Sequence, residues 1–410
     1  AFLLIDIIGI IFFMGGFPGL SSLVRSIIAS IGIFTLAPVP LFIIMGEIIF
    51  VSGMASKAIE VVERILQRLP GRLSMVAIGA GALFDCLTGS ALGTCAMFGS
   101  LLVPEMDKRS YSKYMTMGPI MAGSALAVVI PPSTLAIILA AQAGISVGKL
   151  LIAGFFPGIL LSFLFAIYVA IACLIKPNWA PIGQKKEKYD SNQIKDIVKY
   201  LLPLTFIILA VLGGIFSGLA TPTESSALGA TASFFLAGVS KRLSKEAVIT
   251  AAKRCLRIST MIFMIVAGSV AFSQLLAFTG ITRGIVEIAS NLPISPKLIV
   301  AVILFILILM GTMIEQISMI MIGVPIFMPV VQSLNFDPIW FGLLMLLSIT
   351  VGLITPPFGL LLFIMKGVTP AKNTMTDVYA SAFPFVLITI FGIFLIYLFP
   401  CITIWLPNKM

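Results

Sequence analysis

Long apolar segments alternate along the chain with short polar connections. Most of the apolar segments approach or exceed the roughly 20 residues that an α-helix needs to cross the hydrocarbon core of a bilayer. Because an open sheet edge cannot be satisfied in lipid, the pattern predicts an all-α polytopic membrane protein. The predicted crossings are 2–17, 38–54, 114–142, 150–175, 200–217, 223–239, 258–278, 338–365 and 380–400.

Two of these crossings contain a pair of prolines, in Ile130-Pro131-Pro132-Ser133 and in Thr355-Pro356-Pro357-Phe358-Gly359. A proline removes a backbone donor and clashes with the preceding turn, and the residue before it leaves helical geometry. Each pair therefore predicts a helix that is broken at membrane depth. The backbone groups freed by the break need protein, water or a ligand, since lipid cannot bind them.

The two breaks belong to a weak internal repeat. Pro104 and Pro131 are 27 residues apart, as are Pro329 and Pro356, and the two copies are offset by 225 residues. Interrupted apolar segments at matching positions of two halves indicate the binding site of a transporter.

Each half also contains a predicted re-entrant hairpin, at 72–106 and at 293–334. The first is too short for two full crossings, which need about 40 residues, and cations lie on both of its flanks. By the positive-inside rule both ends should be cytoplasmic. Counting crossings places the second hairpin on the opposite face, which predicts an inverted repeat. The flanking cations are Arg64, Arg68 and Arg72 before the hairpin and Lys108, Arg109 and Lys113 after it.

The remaining segments are less apolar. Residues 20–36 are expected to form an interfacial or re-entrant piece, and residues 55–69 and 241–257 amphipathic arms along the membrane surface. Residues 176–199 form the longest polar run and are expected to be the cytoplasmic loop between the halves. This run contains Lys185, Lys186, Glu187, Lys188, Tyr189 and Asp190.

Composition narrows the function. The chain is 60% hydrophobic and 10% charged, far below the roughly 25% charged residues of a soluble protein. It has no histidine and no nucleophile–base pair, which argues against a hydrolase. It also has no nucleotide-binding motif of the ATPase type, so an ion gradient or a partner must drive any active transport.

The two hairpin tips carry small or oxygen-bearing residues: Gly89, Ser90 and Thr94 in the first, and Gly311, Thr312 and Glu315 in the second. Together with carbonyls freed at the breaks they can form oxygen cages for a hard cation such as Na⁺. The helix N-termini at the same places can bind an anion. The alternative is that these residues only let helices pack closely.

Several other polar residues are candidates. An ionisable group within the membrane is functional by default. This favours a functional role for Glu315 over the alternative, a position at the solvated rim. Asp85 is as consistent with a functional role as with a structural one, whereas Glu47 and Glu224 are more typical of helix-end or structural polar groups. Ser124 and Ser133 flank the first break as candidate ligands or packing residues, and Arg283 is either an anion partner or an interfacial cation.

The chain resembles the large membrane subunit, DctM-like, of tripartite ATP-independent periplasmic (TRAP) transporters. The resemblance runs in order along nearly the whole chain, although the chain departs from it at Asp85 and at the neutral Thr94. The matching segments are Pro40-Leu41-Phe42 to Gly46-Glu47, Gly89-Ser90-Ala91, Pro104-Glu105-Met106, Ile130-Pro131-Pro132-Ser133, Ala153-Gly154-Phe155-Phe156-Pro157-Gly158, Pro222-Thr223-Glu224, Asp337-Pro338 with Phe341-Gly342, and Gly352-Leu353-Ile354-Thr355-Pro356-Pro357-Phe358-Gly359.

The resemblance implies a Na⁺-driven elevator importer in a bacterial or archaeal cytoplasmic (inner) membrane, and not an enzyme. The scaffold would comprise residues 1–70 and 148–257, the transport domain 71–147 and 258–378, and a C-terminal helix 379–410. A periplasmic substrate-binding protein would deliver a C4-dicarboxylate, sialic acid or similar sugar acid. A small four-helix membrane subunit would be a separate chain in the lipid bilayer.

The resemblance also implies two or more Na⁺ ions per cycle, one at each hairpin and its break, with the substrate between the tips. The predicted Na⁺ ligands are Gly89, Ser90, Thr94, Ser124, Pro131, Ser133, Gly311, Thr312, Glu315, Gly352, Thr355 and Gly359. The predicted substrate-binding residues are Ser90, Ala91, Ser133, Glu315, Thr355, Pro356 and Arg283. The alternatives are an ion-coupled carboxylate carrier without a binding protein, a passive channel, and a membrane scaffold without transport.

Overall fold

The computed structural model describes residues 2–65, 71–180 and 197–410, and within these ranges the chain is helical and contains no strand. Six of the described helical stretches are long and apolar enough to cross a membrane. The predicted all-α membrane fold is confirmed. The helices are α1 (Phe2–Phe13), α2 (Phe17–Ile31), α3 (Pro38–Val51), α4 (Met54–Ile65), α5 (Arg72–Thr88), α6 (Ala91–Lys108), α7 (Lys113–Ala125), α8 (Thr134–Ala143), α9 (Val147–Ala153), α10 (Phe155–Ile175), α11 (Leu202–Phe216), α12 (Pro222–Val239), α13 (Lys245–Phe278), α14 (Ile281–Asn291), α15 (Pro296–Gly311), α16 (Gln316–Ser333), α17 (Pro338–Ile354), α18 (Leu360–Val368), α19 (Met375–Leu398) and α20 (Cys401–Ile404).

Both predicted hairpins are present as pairs of helices joined by a short tip. In hairpin 1, α5 ends at Gly89, whose left-handed backbone (φ 57°) turns the chain, and α6 begins after Ser90. Glycine adopts this conformation without the clash that a side chain would cause. In hairpin 2 the tip is longer, since α15 ends at Gly311 and α16 begins only after Glu315.

Both predicted helix breaks are also present. After α7 the chain forms one 3₁₀ turn, Leu126–Val128, and then runs without helical structure to Ser133, where α8 begins. After α17 the chain is non-helical from Thr355 to Gly359. The bonds Pro131-Pro132 and Pro356-Pro357 are both cis. They lie 225 residues apart in the sequence, at the same place in each break.

The hairpins and broken helices pack together around α17. All residues of α17 from Ile339 to Ile354 are buried, as expected for a helix that is apolar on every side. The C-terminal helix α19 packs against α7 and α17, and the Trp340 indole N–H donates to the Ile396 carbonyl at 3.1 Å. The predicted separate C-terminal helix, residues 379–410, therefore packs within the group of helices that contains the hairpins.

A second group consists of α1, α2 and α3 with α11, α12 and α13. It meets the first group where α3 contacts α5 and α8 and where α13 contacts α16. The segment 20–36, predicted to be interfacial or re-entrant, forms most of α2, which packs against α1 and α13.

The predicted arm at 241–257 and the predicted crossing at 258–278 are not separate elements. They form one continuous helix of 34 residues, α13, because the sequence from Lys245 to Phe278 contains no proline and only Gly268 as a helix-weakening residue. The predicted domain boundary at 257/258 therefore falls inside a helix. The boundaries at 147/148 and 378/379 fall within α9 and α19 in the same way.

The other predicted arm, 55–69, is α4 as far as Ile65, and its residues 66–69 lie outside the described residues. The same applies to most of the predicted cytoplasmic loop at 176–199, including Lys185, Lys186, Glu187, Lys188, Tyr189 and Asp190.

Candidate functional site

The two hairpin tips meet at a cavity of about 200 Å³ between the two groups of helices. Hairpin 1 contributes residues 89–94, hairpin 2 contributes 315–317, and the first break contributes 127–128 together with the start of α8. The opposite wall comes from α3 and α13, through residues that include Glu47, Phe50 and Arg254. Predicted site residues that lie more than 200 positions apart in the sequence thus share one cavity.

At the tip of hairpin 1, Ser90 is the N-cap of α6. Its backbone is extended, and its hydroxyl accepts a hydrogen bond from the Gly93 N–H at 3.3 Å. Gly89 lies against the start of α8, because a Cβ added there would come within 2.8 Å of the Thr134 hydroxyl. The tip of hairpin 1 and the first break therefore pack against each other, and a larger residue at Gly89 would push them apart.

At the tip of hairpin 2, Glu315 occupies the equivalent position, 225 residues after Ser90, and is the N-cap of α16. One carboxylate oxygen accepts from the N–H groups of Ile317 and Ser318 at 3.0 and 3.2 Å. The residue is exposed and lines the cavity. Two helix N-termini of the repeat thus face the cavity, one capped by a neutral hydroxyl and the other by a carboxylate.

The serines at the first break already have backbone partners. Ser133 caps α8 and donates its hydroxyl to the Val128 carbonyl at 2.7 Å, and Ser124 donates to Ile120 at 2.8 Å. Both are buried, as is Pro131, and none of the three lines the cavity wall. A donated hydroxyl keeps oxygen lone pairs that can still bind a cation.

Asp85 lies behind the tip of hairpin 1 and is fully buried. Neither carboxylate oxygen has a hydrogen-bond partner among the side chains and backbone that the structure describes. The Thr94 side chain and the Ala127 backbone lie near enough to the carboxylate to interact with it as hydrogen-bonding groups, although neither has the geometry of a formed hydrogen bond to it. Thr94, itself buried, also lines the cavity, so it separates Asp85 from the space between the tips.

A second and smaller cavity, of about 10 Å³, lies between hairpin 2 and the second break. Gly311 and Gly352 line it, and the two glycines come so close that a Cβ at Gly352 would lie 2.5 Å from the Gly311 carbonyl. The Phe358 N–H donates to the Thr312 carbonyl at 3.2 Å and ties the break to the tip. The volume is that of about one water-sized particle, and Gly311 and Gly352 form part of its wall.

Thr355 and Gly359 complete the second break. The Thr355 hydroxyl donates to the Val351 carbonyl at 2.6 Å, and the Gly359 N–H donates to the Thr355 carbonyl at 3.1 Å. Pro356 is exposed beside them. These three residues lie at the break itself and do not line either of the two cavities.

The cation in the wall of the larger cavity is Arg254 of α13. Its guanidinium lies 3.4 Å from a Glu47 carboxylate oxygen and 5.5 Å from the centre of the Phe50 ring. The sequence prediction did not select Arg254, because it lies in the basic segment assigned to an amphipathic arm. Arg283, which it did select, lies exposed on α14 and does not line the described cavities.

Glu224 has the helix-end role that its sequence position indicates. Its N–H donates to the Thr221 hydroxyl at 3.2 Å, and its carboxylate accepts from the Thr221 N–H at 2.8 Å. This reciprocal pair is a capping box at the start of α12. Glu47, for which the sequence indicates a helix-end or structural role, lies within α3 and lines the cavity, where it pairs with Arg254.

Comparison with known proteins supplies a family for this architecture. Residues 1–402 match the family described as "Tripartite ATP-independent periplasmic transporter, DctM component". The match covers both hairpins, both breaks and both cavities.

Individual relatives agree with the family match. The C4-dicarboxylate TRAP transporter large permease protein DctM of Pseudomonas aeruginosa is 30% identical over 92% of this chain and 86% of its own length. The 2,3-diketo-L-gulonate TRAP transporter large permease protein YiaN of Escherichia coli is 29% identical, over 92% and 87%. The isethionate TRAP transporter permease protein DctMQ of Oleidesulfovibrio alaskensis is 29% identical over 84% of this chain but 54% of its own length.

Solved structures share the fold at lower identity. The YdaH transporter of Alcanivorax borkumensis superimposes with a TM-score of 0.65 at 15% identity, over 93% of this chain and 88% of YdaH. This similarity concerns the arrangement of helices and carries no information on the solute.

Proposed function

Since the chain belongs to the DctM component family of the TRAP transporters, which are transport proteins and not enzymes, we propose that it imports a carboxylate-bearing organic anion in symport with Na⁺. TRAP transporters work with a substrate-binding protein and a small membrane subunit. The observation that carries the proposal is the cavity of about 200 Å³ into which both hairpin tips project.

The charges around the cavity suit an anion at one side and a cation at the other. The N-terminus of α16 is already capped by its own carboxylate, Glu315, whereas the N-terminus of α6 is capped by the neutral Ser90. Since helix N-termini attract anions, the substrate carboxylate binds at the Ser90 tip, and Arg254, which is paired with Glu47 in the opposite wall of the cavity, supplies a positive charge. Glu315 faces it from the other tip and favours a cation.

The coupling ions occupy the two breaks. The second break has a cavity of about 10 Å³ at Gly311 and Gly352, which fits one ion beside the closely packed backbone of the two glycines. The first break has the hydroxyls of Thr94, Ser124 and Ser133 near the tip of hairpin 1. Oxygen ligands suit a hard cation, and binding at either site fastens a tip against its break.

Transport proceeds by movement of the hairpin group against the group of α3 and α13. The tips lie beside the C-terminal half of α3 and the cationic end of α13, which the positive-inside rule assigns to the cytoplasmic side. We therefore propose that this arrangement is the inward end of an elevator movement. In the outward state the same tips would lie nearer to Pro38 of α3 and Phe278 of α13.

The solute is a C4-dicarboxylate, a sialic acid or a similar sugar acid, delivered by a periplasmic binding protein across the cytoplasmic membrane of a bacterium or archaeon. The names of the P. aeruginosa and E. coli relatives refer to acids of this kind. The chain works together with a small membrane subunit, and the O. alaskensis relative combines M and Q components in its name.

The test is uptake of labelled carboxylates into proteoliposomes that contain the purified protein, with the small subunit and the binding protein of the same transporter. Uptake that requires an inward Na⁺ gradient and the binding protein would support the proposal. Na⁺-driven uptake without the binding protein would favour a simpler carrier. Flux that ignores Na⁺ and only follows the solute gradient would refute Na⁺ coupling and favour a passive pore.

A further inference from the structure

We propose that Asp85 is the anionic ligand of a cation site inside hairpin 1, and that Thr94 is a second ligand which separates this site from the substrate cavity. The inference rests on the proposed Na⁺ coupling, because Na⁺ is the cation it assigns. It adds a charged ligand to a first ion site that otherwise consists of hydroxyl and carbonyl oxygens.

The burial of Asp85 carries the argument. Its exposed fraction is 0%, and both carboxylate oxygens lack a hydrogen-bond partner among the described residues. A buried carboxylate without a partner is strongly disfavoured, and buried charges in proteins are paired or bind metal ions. No described lysine or arginine is a hydrogen-bond partner of Asp85. Unlike the equally buried Asp6, Asp85 lies beside Thr94 at the substrate cavity, where a bound cation would keep its carboxylate ionised.

The neighbours of Asp85 supply further oxygen ligands. The Thr94 side chain flanks the carboxylate, and Cys95 lies beside both Asp85 and Ser124. The Ser124 hydroxyl donates to the Ile120 carbonyl, so its oxygen lone pairs remain able to accept a cation. A carboxylate with nearby hydroxyls is a ligand set that suits a hard cation.

The site also has a route for the ion. Thr94 lines the substrate cavity while being only 1% exposed, so a small rotation of its side chain would connect Asp85 with the cavity. Thr94 lies on α6, four residues after Ser90 at the tip, and Asp85 lies on α5, four residues before Gly89. A cation between them therefore joins the two helices of hairpin 1 directly below its tip.

The chain provides a matched control in Asp6 of α1. Asp6 is also 0% exposed and both of its carboxylate oxygens lack a described hydrogen-bond partner, but it lies on α1 and lines neither cavity. Asp6→Asn removes the same buried charge elsewhere, so it separates a general effect on stability from loss of a cation ligand.

The first readout is the thermal unfolding of purified protein in detergent, titrated with NaCl against choline chloride at constant ionic strength. Wild type and Asp6→Asn should show a Na⁺-specific rise in melting temperature. Asp85→Asn should require at least about tenfold more Na⁺ for the same shift, as expected when a metal-site ligand is lost. An unchanged Na⁺ titration in Asp85→Asn would overturn the inference.

The second readout is the Na⁺ concentration for half-maximal uptake in proteoliposomes. It should rise at least about tenfold in Asp85→Asn and more modestly in Thr94→Val, which keeps the side-chain shape. Thr94→Val keeps the inference testable should Asp85→Asn fail to fold, and an unchanged value in Thr94→Val would then contradict it. Wild-type uptake that ignores Na⁺ would instead refute the proposed function itself, while the binding titration still reports on Asp85.

Discussion

Gly352→Ala should weaken Na⁺ coupling by filling the small cavity at the second break. The Cβ of an alanine at this position would lie 2.5 Å from the carbonyl carbon and oxygen of Gly311 and 2.6 Å from its Cα. These are backbone atoms of α15, which cannot rotate away as a flexible side chain can. The methyl group therefore enters the space that we assign to an ion.

The size of the effect follows from the geometry. Ordinary contacts of a Cβ begin at 3.4 Å, so α15 and α17 must separate by roughly 0.9 Å, the difference between 3.4 and 2.5 Å. Overpacking of this kind typically costs about 1–3 kcal/mol. If that energy opposes closure of the tip over the ion, the Na⁺ concentration for half-maximal uptake should rise about 5–150-fold.

The assay is Na⁺-dependent uptake in proteoliposomes, with the melting temperature of the purified protein measured in parallel. Gly367→Ala is the matched control, because a Cβ at this glycine of α18 meets nothing within 4 Å. It should leave the Na⁺ dependence unchanged and stabilise the helix by up to about 1 kcal/mol. A Gly352→Ala protein whose Na⁺ dependence stays within about twofold of wild type would refute the close approach of the two helices as the basis of ion binding.

Three further variants test the larger cavity. Ser90→Ala removes the N-cap of α6, worth about 1 kcal/mol, and should weaken Na⁺ dependence while the protein remains folded; wild-type dependence would exclude the tip from the ion site. Glu315→Gln keeps an oxygen that can cap α16 but removes the charge, so it should weaken Na⁺ affinity with little change in melting temperature. Glu315→Ala removes both the cap and the charge and should lower both quantities. Wild-type Na⁺ affinity in Glu315→Gln would show that the charge is unimportant. Arg254→Gln should raise the KM for the carboxylate about tenfold at saturating Na⁺, measured with the double variant Glu47→Gln/Arg254→Gln as control, and an unchanged KM would remove Arg254 from the substrate site.

The hairpins and breaks could be predicted from the sequence because their causes are local. Proline pairs end helices wherever they occur, and Gly89 turns the chain through its own backbone conformation. The two copies of the repeat could therefore be located from the spacing of 27 residues between Pro104 and Pro131 and between Pro329 and Pro356.

The contacts between distant residues could not be predicted in this way. Arg254 and Glu47 are 207 residues apart in the sequence. No local pattern indicates that the basic segment and the crossing helix after it are one helix, or that this helix brings Arg254 to the cavity. The approach of Gly311 to Gly352 likewise depends on how α15 packs against α17. Asp85 could be identified as unusual from the sequence, but its complete burial beside Thr94 depends on the fold.

The length of α13 implies that transport depends on the thickness of the bilayer. At about 1.5 Å per residue, its 34 residues extend about 50 Å, well beyond a hydrocarbon core of about 30 Å. A long apolar helix adapts to a thinner membrane by tilting, and because α13 is unbroken, a tilt of its apolar part also moves its cationic end. Arg254 would then shift relative to the hairpin tips, so lipids with shorter acyl chains should change the affinity for the solute without any change in sequence.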